Sequence, residues 1–148
     1  MRMLRVKYNK LFVTDNTKIA CIHRQIGRVI MELKGKKVMV VGTGISGIGA
    51  IDLLNKAGAD CIIYDANEKL TEEAVAKKLN GNKAQIIIGE LADDITEKVE
   101  LLVISPGVPV DSPLVKKFEE AGVPVWGEIE LAYNYDKGRI IAITGTNG

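Results

Sequence analysis

The sequence predicts an α/β fold, namely a Rossmann-like, doubly wound and mainly parallel sheet of about five strands with helices on both faces. Short apolar runs alternate with amphipathic helical segments from residue 36 onward. The runs are continuous, which is typical of parallel strands that are buried on both faces. The run 37–41 leads into the turn Gly42-Thr43-Gly44-Ile45-Ser46-Gly47, whose glycine spacing is typical of the first strand–helix junction in such folds.

Each element follows from a local pattern. Apolar runs predict strands at 37–41, 61–64, 85–88, 101–104, 124–126 and 139–144. Apolar spacing of three and four predicts helices at 45–56, 68–79, 113–121 and 128–135. Gly58 ends the helix 45–56. Ser112 before Pro113 begins the helix 113–121, and Gly122 ends it. The acidic stretch 90–100 is predicted to be a connection.

The domain organisation has three parts. Residues 1–35 are predicted to be an extension of uncertain order, 36–137 the Rossmann-like domain, and 138–148 a further strand followed by a truncated glycine-rich loop. Apolar residues recur at helical spacing over 17–33, and residues 1–34 carry eight basic and two acidic side chains. An added helix or sequence upstream of the natural start is favoured here over a transit peptide or a membrane-surface helix.

Composition excludes several classes of protein. The chain has 148 residues, 47% of them hydrophobic and 26% charged, and a net charge of +1, which gives no bulk argument for nucleic acid or membrane. His23 is the only histidine, so a two-histidine metal site is excluded. Cys21 and Cys61 form no CxxC pair, which suits a reducing compartment. No membrane span is predicted, and we expect a cytoplasmic protein with no metal site.

The glycine-rich turn has the chemistry of a phosphate-binding loop. Gly42 permits the tight turn, Gly44 lets backbone amides approach a diphosphate, and Gly47 allows the helix to pack against the strand. The N-terminus of that helix adds unpaired N–H groups and partial positive charge. The pattern indicates a nucleotide without identifying it.

Two further loops follow the carboxyl ends of strands, where ligands bind in parallel sheets. Asp65 ends the second strand and is suited to accept hydrogen bonds from a ribose or a base, although it could instead cap the next helix, as could Asn67. Ser105-Pro106-Gly107 ends the fourth strand and is either a second ligand loop or a plain turn.

The C-terminal residues Gly145-Thr146-Asn147-Gly148 follow a buried strand. They read either as the front of an ATP phosphate loop that stops before its Lys-Ser/Thr, or as a strand and tail.

Taken together, these motifs resemble the Mur ligase family, within the branch that adds D-glutamate. The motifs, in order, are the glycine-rich turn, Ser105-Pro106-Gly107, Gly127-Glu128-Ile129-Glu130-Leu131 and Thr144-Gly145-Thr146-Asn147-Gly148. The resemblance covers about residues 31–148 and implies the N-terminal domain of a three-domain enzyme plus the first strand of its ATPase domain.

The resemblance also implies roles for individual residues. It places the UDP group of UDP-MurNAc-L-Ala in this domain. Gly44, Ile45 and Ser46 would contact the diphosphate, and Asp65, Ala66 and Asn67 the uracil and ribose. Ser105, Pro106 and Gly107 would contact the diphosphate and sugar, and Asn147 would reach the same substrate. An arginine often stands in the family where this chain has Asn67.

The reaction implied for the full-length enzyme belongs to peptidoglycan precursor synthesis. It uses ATP and Mg²⁺ to activate a carboxylate as an acyl phosphate, which D-glutamate then attacks. No catalytic residue is expected in the 148 residues, and neither cofactor is expected to bind them.

Two other classes of protein remain possible from the sequence. The first is an NAD(P)-binding domain of a dehydrogenase or regulator, and the second is an oligomerisation module.

Overall fold

A computed structural model of the protein describes residues 31–135 and the strand residues Ala20–Cys21 and Ile141–Ala142. The chain divides into two compact units. One comprises Met1–Val29 and Asp136–Gly148, and the other Ile30–Tyr135. In the first unit, β1 (Ala20–Cys21) pairs antiparallel with β7 (Ile141–Ala142).

The unit Ile30–Tyr135 contains one sheet and five helices. Its strands are β2 (Lys37–Val41), β3 (Asp60–Asp65), β4 (Gln85–Ile88), β5 (Leu101–Ile104) and β6 (Val125–Gly127). Its helices are α1 (Ile45–Lys56), α2 (Glu72–Leu79), α3 (Asp93–Thr96), α4 (Pro113–Glu120) and α5 (Glu128–Tyr135). The five strands are parallel and lie in the order β4-β3-β2-β5-β6. The predicted fold class is confirmed.

This strand order decides where a ligand can bind. From β2 the chain moves outward through β3 to β4, and then returns to the other side of β2 with β5. The connections therefore leave β2 and β5 in opposite directions and open a crevice between their carboxyl ends, at the switch point where such sheets bind ligands.

The core lies on both faces of the sheet. Val38 and Val40 of the central strand face the layer of α1, α2 and α5, whereas Met39 and Val41 face α4 and the short α3. Leu131 of α5 and Phe118 of α4 are among the largest fully buried side chains. A strand whose side chains are buried alternately on both faces must be apolar throughout, as the sequence pattern required.

In the unit Ile30–Tyr135, two elements differ from their prediction by more than one residue at an end. α2 begins at Glu72 instead of residue 68, because the Thr71 side chain caps it by accepting from the Ala74 amide at 3.3 Å. The acidic stretch also contains α3, a single turn that begins at Asp93. A helix this short has too few apolar positions to show a period.

The helix suggested by the spacing over 17–33 is not formed where the structure describes that segment. Ala20 and Cys21 form a strand, and 31–33 are not helical, so the spacing over 17–33 does not produce one continuous helix. Leu33 is nevertheless buried in the core beside α1. The other residues of that segment, and those of the predicted strand 139–144 apart from Ile141–Ala142, lie outside the described residues. Within the described part of the chain, no helix is long and apolar enough to cross a membrane.

The central strand makes a direct prediction about stability. Val40 is fully buried and Val110 is 70% exposed, so the same change to alanine should have different effects at the two positions. We expect Val40→Ala to lower the free energy of unfolding by about 2 kcal/mol, from lost burial plus the cavity left behind, and Val110→Ala to change it by less than about 0.5 kcal/mol. Urea unfolding followed by circular dichroism measures both, and equal effects would contradict the placement of β2 in the core.

Candidate functional site

The candidate site lies at the carboxyl edge of the sheet, where three strand ends are joined by backbone hydrogen bonds. The Gly42 amide donates to the Tyr64 carbonyl at 2.7 Å, and the Ser105 amide donates to the Val41 carbonyl at 3.1 Å. The loops that follow β2, β3 and β5 therefore begin side by side. This is the arrangement that the parallel fold predicted for them.

Two glycines in the first loop have steric reasons to be glycine. Gly42 has φ +107°, a conformation that other residues rarely adopt. A Cβ at Gly47 would lie 2.0 Å from the Gly42 carbonyl oxygen and 3.3 Å from Ser105 Oγ. The first turn of α1 therefore packs directly on the end of β2. Gly44 differs, since a Cβ there would meet nothing within 4 Å.

The N-terminus of α1 is open to solvent. Gly44 is its N-cap and provides no side-chain hydrogen bond, and the first turn contains no acidic residue. Ile45 is 96% exposed, and Gly44 and Ser46 are also exposed. Unpaired amides and the positive end of the helix dipole therefore face outward together, which is the chemistry of an anion site.

Asp65 holds the first loop in position. Its Oδ2 accepts from both the Thr43 amide at 3.1 Å and the Thr43 hydroxyl at 2.7 Å, and its Oδ1 accepts from the Asn67 amide at 3.0 Å. Thr43 is buried, at 4% exposure. The carboxylate thus ties the loop after β2 to the loop after β3, and the sequence analysis missed Thr43 as its partner. The only sequence signal for Thr43 is its place between two glycines.

Asp65 remains ionised despite this environment. Its burial would raise the pKa, but the hydrogen bonds from Thr43 and Asn67 and the charge of Lys78 outweigh that effect and lower the pKa below its usual value. The ammonium of Lys78 lies 3.4 Å from the Thr43 carbonyl oxygen, to which it donates. Lys78 is a second residue of the site that the sequence analysis did not identify.

The alternative that Asp65 or Asn67 caps the next helix is wrong, because Thr71 is the cap of α2. The Asn67 side chain instead accepts from the Lys69 amide at 3.1 Å and closes a local turn. Ala66 and Asn67 are both exposed at the edge of the site.

The loop after β5 supplies a buried hydroxyl. Ser105 Oγ is inaccessible and has no hydrogen-bond partner among the residues that the structure describes. The Ser105 carbonyl oxygen accepts from the Val108 amide at 2.9 Å, which closes a turn. Pro106 and Gly107 are exposed on that turn. A Cβ at Gly42 would come 2.9 Å from Ser105 Oγ, so this hydroxyl lies directly against the first loop.

The structure brings eleven predicted site residues to one edge, and the twelfth, Asn147, lies outside the described residues. So do Gly145, Thr146 and Gly148. Within 31–135 and the two short strands, no group of three acidic, histidine or cysteine residues could hold a metal ion. Three acids of the stretch 90–100, namely Asp93, Asp94 and Glu100, pair with lysines on the surface, and the Glu100–Lys36 distance is 2.8 Å.

Comparisons with known proteins agree with this geometry. Residues 36–127 match the family described as the Mur ligase MurD-like N-terminal domain. The chain is 71% identical over 118 residues to the UDP-N-acetylmuramoylalanine–D-glutamate ligase of Lachnospira eligens, and 51% identical over 119 residues to that of Lachnoclostridium phytofermentans. Each alignment covers 80% of this chain and 26% of the relative. The chain therefore spans about a quarter of the length of these relatives.

Among solved structures, the chain is similar to shikimate dehydrogenase from Aquifex aeolicus. The TM-score is 0.48 and the sequence identity 19%, over 70% of this chain and 46% of that one.

The contact between α1 and β2 predicts opposite effects for two alanine substitutions in the same helix. Gly47→Ala puts a methyl group 2.0 Å from a backbone carbonyl, and we expect it to destabilise the protein by about 3 kcal/mol or more. Gly49→Ala meets nothing within 4 Å and removes a flexible residue from the helix, so it should stabilise by about 0.5–1 kcal/mol. Urea unfolding of both variants measures the difference, and a Gly47→Ala protein as stable as Gly49→Ala would refute this packing.

Proposed function

Because the chain belongs to the MurD-like Mur ligases through their N-terminal domain, we propose that it binds the UDP end of UDP-MurNAc-L-Ala for an ATP-dependent ligase. That enzyme adds D-glutamate during peptidoglycan precursor synthesis in the cytoplasm. The observation that carries the proposal is the open N-terminus of α1, with its glycine-rich loop, at the switch point of the sheet. A diphosphate is an anion of suitable size and charge for that position.

The diphosphate is assigned to the first turn of α1. The amides of Gly44, Ile45 and Ser46 are the donors, and the exposure of these residues leaves room for the ligand. The open side of Gly44 supports this assignment, because backbone can approach a phosphate most closely where no side chain intervenes.

The uracil and ribose are assigned to the loop after β3. Asp65 is ionised and accepts hydrogen bonds, and Ala66 and Asn67 are exposed beside it. Asn67 has a short neutral side chain where the family often has arginine, so this chain contacts the nucleoside without that positive charge.

The sugar side of the diphosphate is assigned to Ser105, Pro106 and Gly107. Their loop begins next to Gly42, so one ligand can touch both loops. Asn147 is proposed to reach the same substrate. ATP and Mg²⁺ are assigned to the rest of the longer protein, with Gly145, Thr146, Asn147 and Gly148 as the front of the ATP phosphate loop.

Titration of the 148-residue chain with UDP-MurNAc-L-Ala, UDP and NADH tests the assignment of the nucleotide. We expect both uridine nucleotides to bind and NADH not to bind, as measured by ligand-observed NMR or calorimetry. Binding of NADH without a signal from either uridine nucleotide would overturn the proposal in favour of a dinucleotide-binding domain.

Two matched variants test the position of the ligand in the same titration. Ile45 and Ile129 are exposed in the first turns of α1 and α5. Ile45→Glu places a carboxylate where the diphosphate is proposed to bind and should weaken UDP binding about tenfold, which corresponds to about 1.4 kcal/mol. Ile129→Glu makes the same change at another helix N-terminus and should alter the affinity less than about twofold. Equal effects would contradict the assignment to α1.

The same chain should not catalyse ligation. The 148 residues include the front of the proposed ATP phosphate loop and do not include a Lys-Ser/Thr pair of the kind that neutralises phosphate charge and holds Mg²⁺ in such loops. We expect no ATP hydrolysis above background when D-glutamate and UDP-MurNAc-L-Ala are added together. Hydrolysis that depends on D-glutamate, measured as phosphate release, would refute this part of the proposal.

A further inference from the structure

The glycine-rich loop 42–47 contains no lysine, but Lys78 of another element lies beside it. Lys78 extends from the last turn of α2, and its Nζ donates to the Thr43 carbonyl oxygen at 3.4 Å. It also contributes to lowering the pKa of Asp65, so its positive charge lies close enough to act on the site.

The charges of the three strand-end loops indicate a role for Lys78. Asp65 is the one charged side chain among residues 42–47, 65–67 and 105–107. A diphosphate diester brings about two negative charges, at one for each phosphate. The helix dipole supplies only partial positive charge, and the carboxylate of Asp65 opposes an anion. A full positive charge nearby would offset part of this negative excess.

The position of Lys78 on α2 separates it from its neighbour. Val75 and Leu79 are buried and fix the face of α2 that packs on the core. Lys78 lies beside that face, whereas Lys77 lies two residues from both Val75 and Leu79, on the opposite side of the helix. The two lysines thus differ in direction while sharing charge, helix and exposure.

We infer that Lys78 is a ligand-binding residue, whose ammonium contacts the diphosphate of the nucleotide held by the glycine-rich loop. The ammonium of Lys78 donates to the Thr43 carbonyl oxygen, which is one acceptor for a group that has three N–H donors. The side chain is exposed, and Thr43 directly precedes Gly44, the N-cap of α1, so the remaining donors lie next to the position assigned to the diphosphate. This assignment rests on the proposed function, because it requires a diphosphate at α1.

The test compares Lys78→Met with the matched variant Lys77→Met, using UDP and uridine as probes. We expect Lys78→Met to weaken UDP binding about tenfold, as expected for a partly solvated charge-assisted hydrogen bond, and Lys77→Met to weaken it less than about twofold. Uridine lacks the phosphates, and its affinity should be the same for all three proteins. Lys78→Arg keeps the charge and should restore most of the affinity for UDP.

Salt provides a second readout. A direct ion contact is screened by salt, so UDP affinity of the wild-type chain should fall more steeply between about 20 and 200 mM NaCl than that of Lys78→Met. Thermal unfolding of each variant checks that the fold is retained.

The outcomes separate this inference from the proposed function. If the wild-type chain binds neither UDP nor UDP-MurNAc-L-Ala, the proposed function is wrong and this inference is overturned with it. If it binds UDP but Lys78→Met behaves like Lys77→Met, the inference is overturned and the proposed function stands. If Lys78→Met weakens UDP and uridine equally, Lys78 supports the loop through Thr43 and Asp65, and the assignment to the diphosphate is also overturned.

Discussion

The whole site depends on one close approach, that of the first turn of α1 to the end of β2. A side chain at Gly47 would lie 2.0 Å from the Gly42 carbonyl oxygen, so only glycine allows the helix to start so near the strand. This approach places the start of α1, with the amides of Gly44, Ile45 and Ser46, at the carboxyl end of β2, which borders the crevice. A helix shifted outward by one methyl group would take its amides and the end of its dipole away from that crevice.

The loop is then held in place by a second interaction, the pair of hydrogen bonds from Thr43 to Asp65. This arrangement puts a carboxylate beside a loop with the chemistry of an anion site, which is electrostatically unfavourable. Two features of the structure reduce that cost. Oδ2 of Asp65 is turned toward Thr43, and the charge of Lys78 lies nearby. The same residues therefore position the loop and set its charge, namely Thr43 after β2, Asp65 at the end of β3 and Lys78 on α2.

Much of this could be predicted from the sequence, because parallel strands and glycine-rich turns have strong local signals. β2, α1, β4, β5 and α5 have their predicted bounds, and the strand-end loops meet as the fold class requires. The rest depends on long-range contacts. Thr43 and Lys78 act across 22 and 35 residues, a separation at which no motif connects them. The start of α2 is set by its cap, Thr71. Asn67 is also a residue type that favours the cap position, so the sequence does not decide between the two. Over 17–33 a helical period was present, but Ala20 and Cys21 pair with Ile141–Ala142, a tertiary contact that overrides the local pattern.

The geometry of Asp65 also bears on which nucleotide the loop can hold, since backbone amides bind a diphosphate in a UDP-sugar and in a dinucleotide alike. In dinucleotide-binding folds the acidic residue after the second strand accepts a hydrogen bond from a ribose hydroxyl, and a UDP-sugar has a ribose with the same hydroxyls. Here Oδ2 already accepts two hydrogen bonds and Oδ1 one, which together occupy about three of the roughly four acceptor positions of a carboxylate. The remaining position suits a single donor, such as the N–H of a uracil or one hydroxyl group. The hydrogen bonds that fix the loop therefore limit Asp65 to one contact with a nucleoside, so discrimination between the two nucleotides requires contacts other than Asp65.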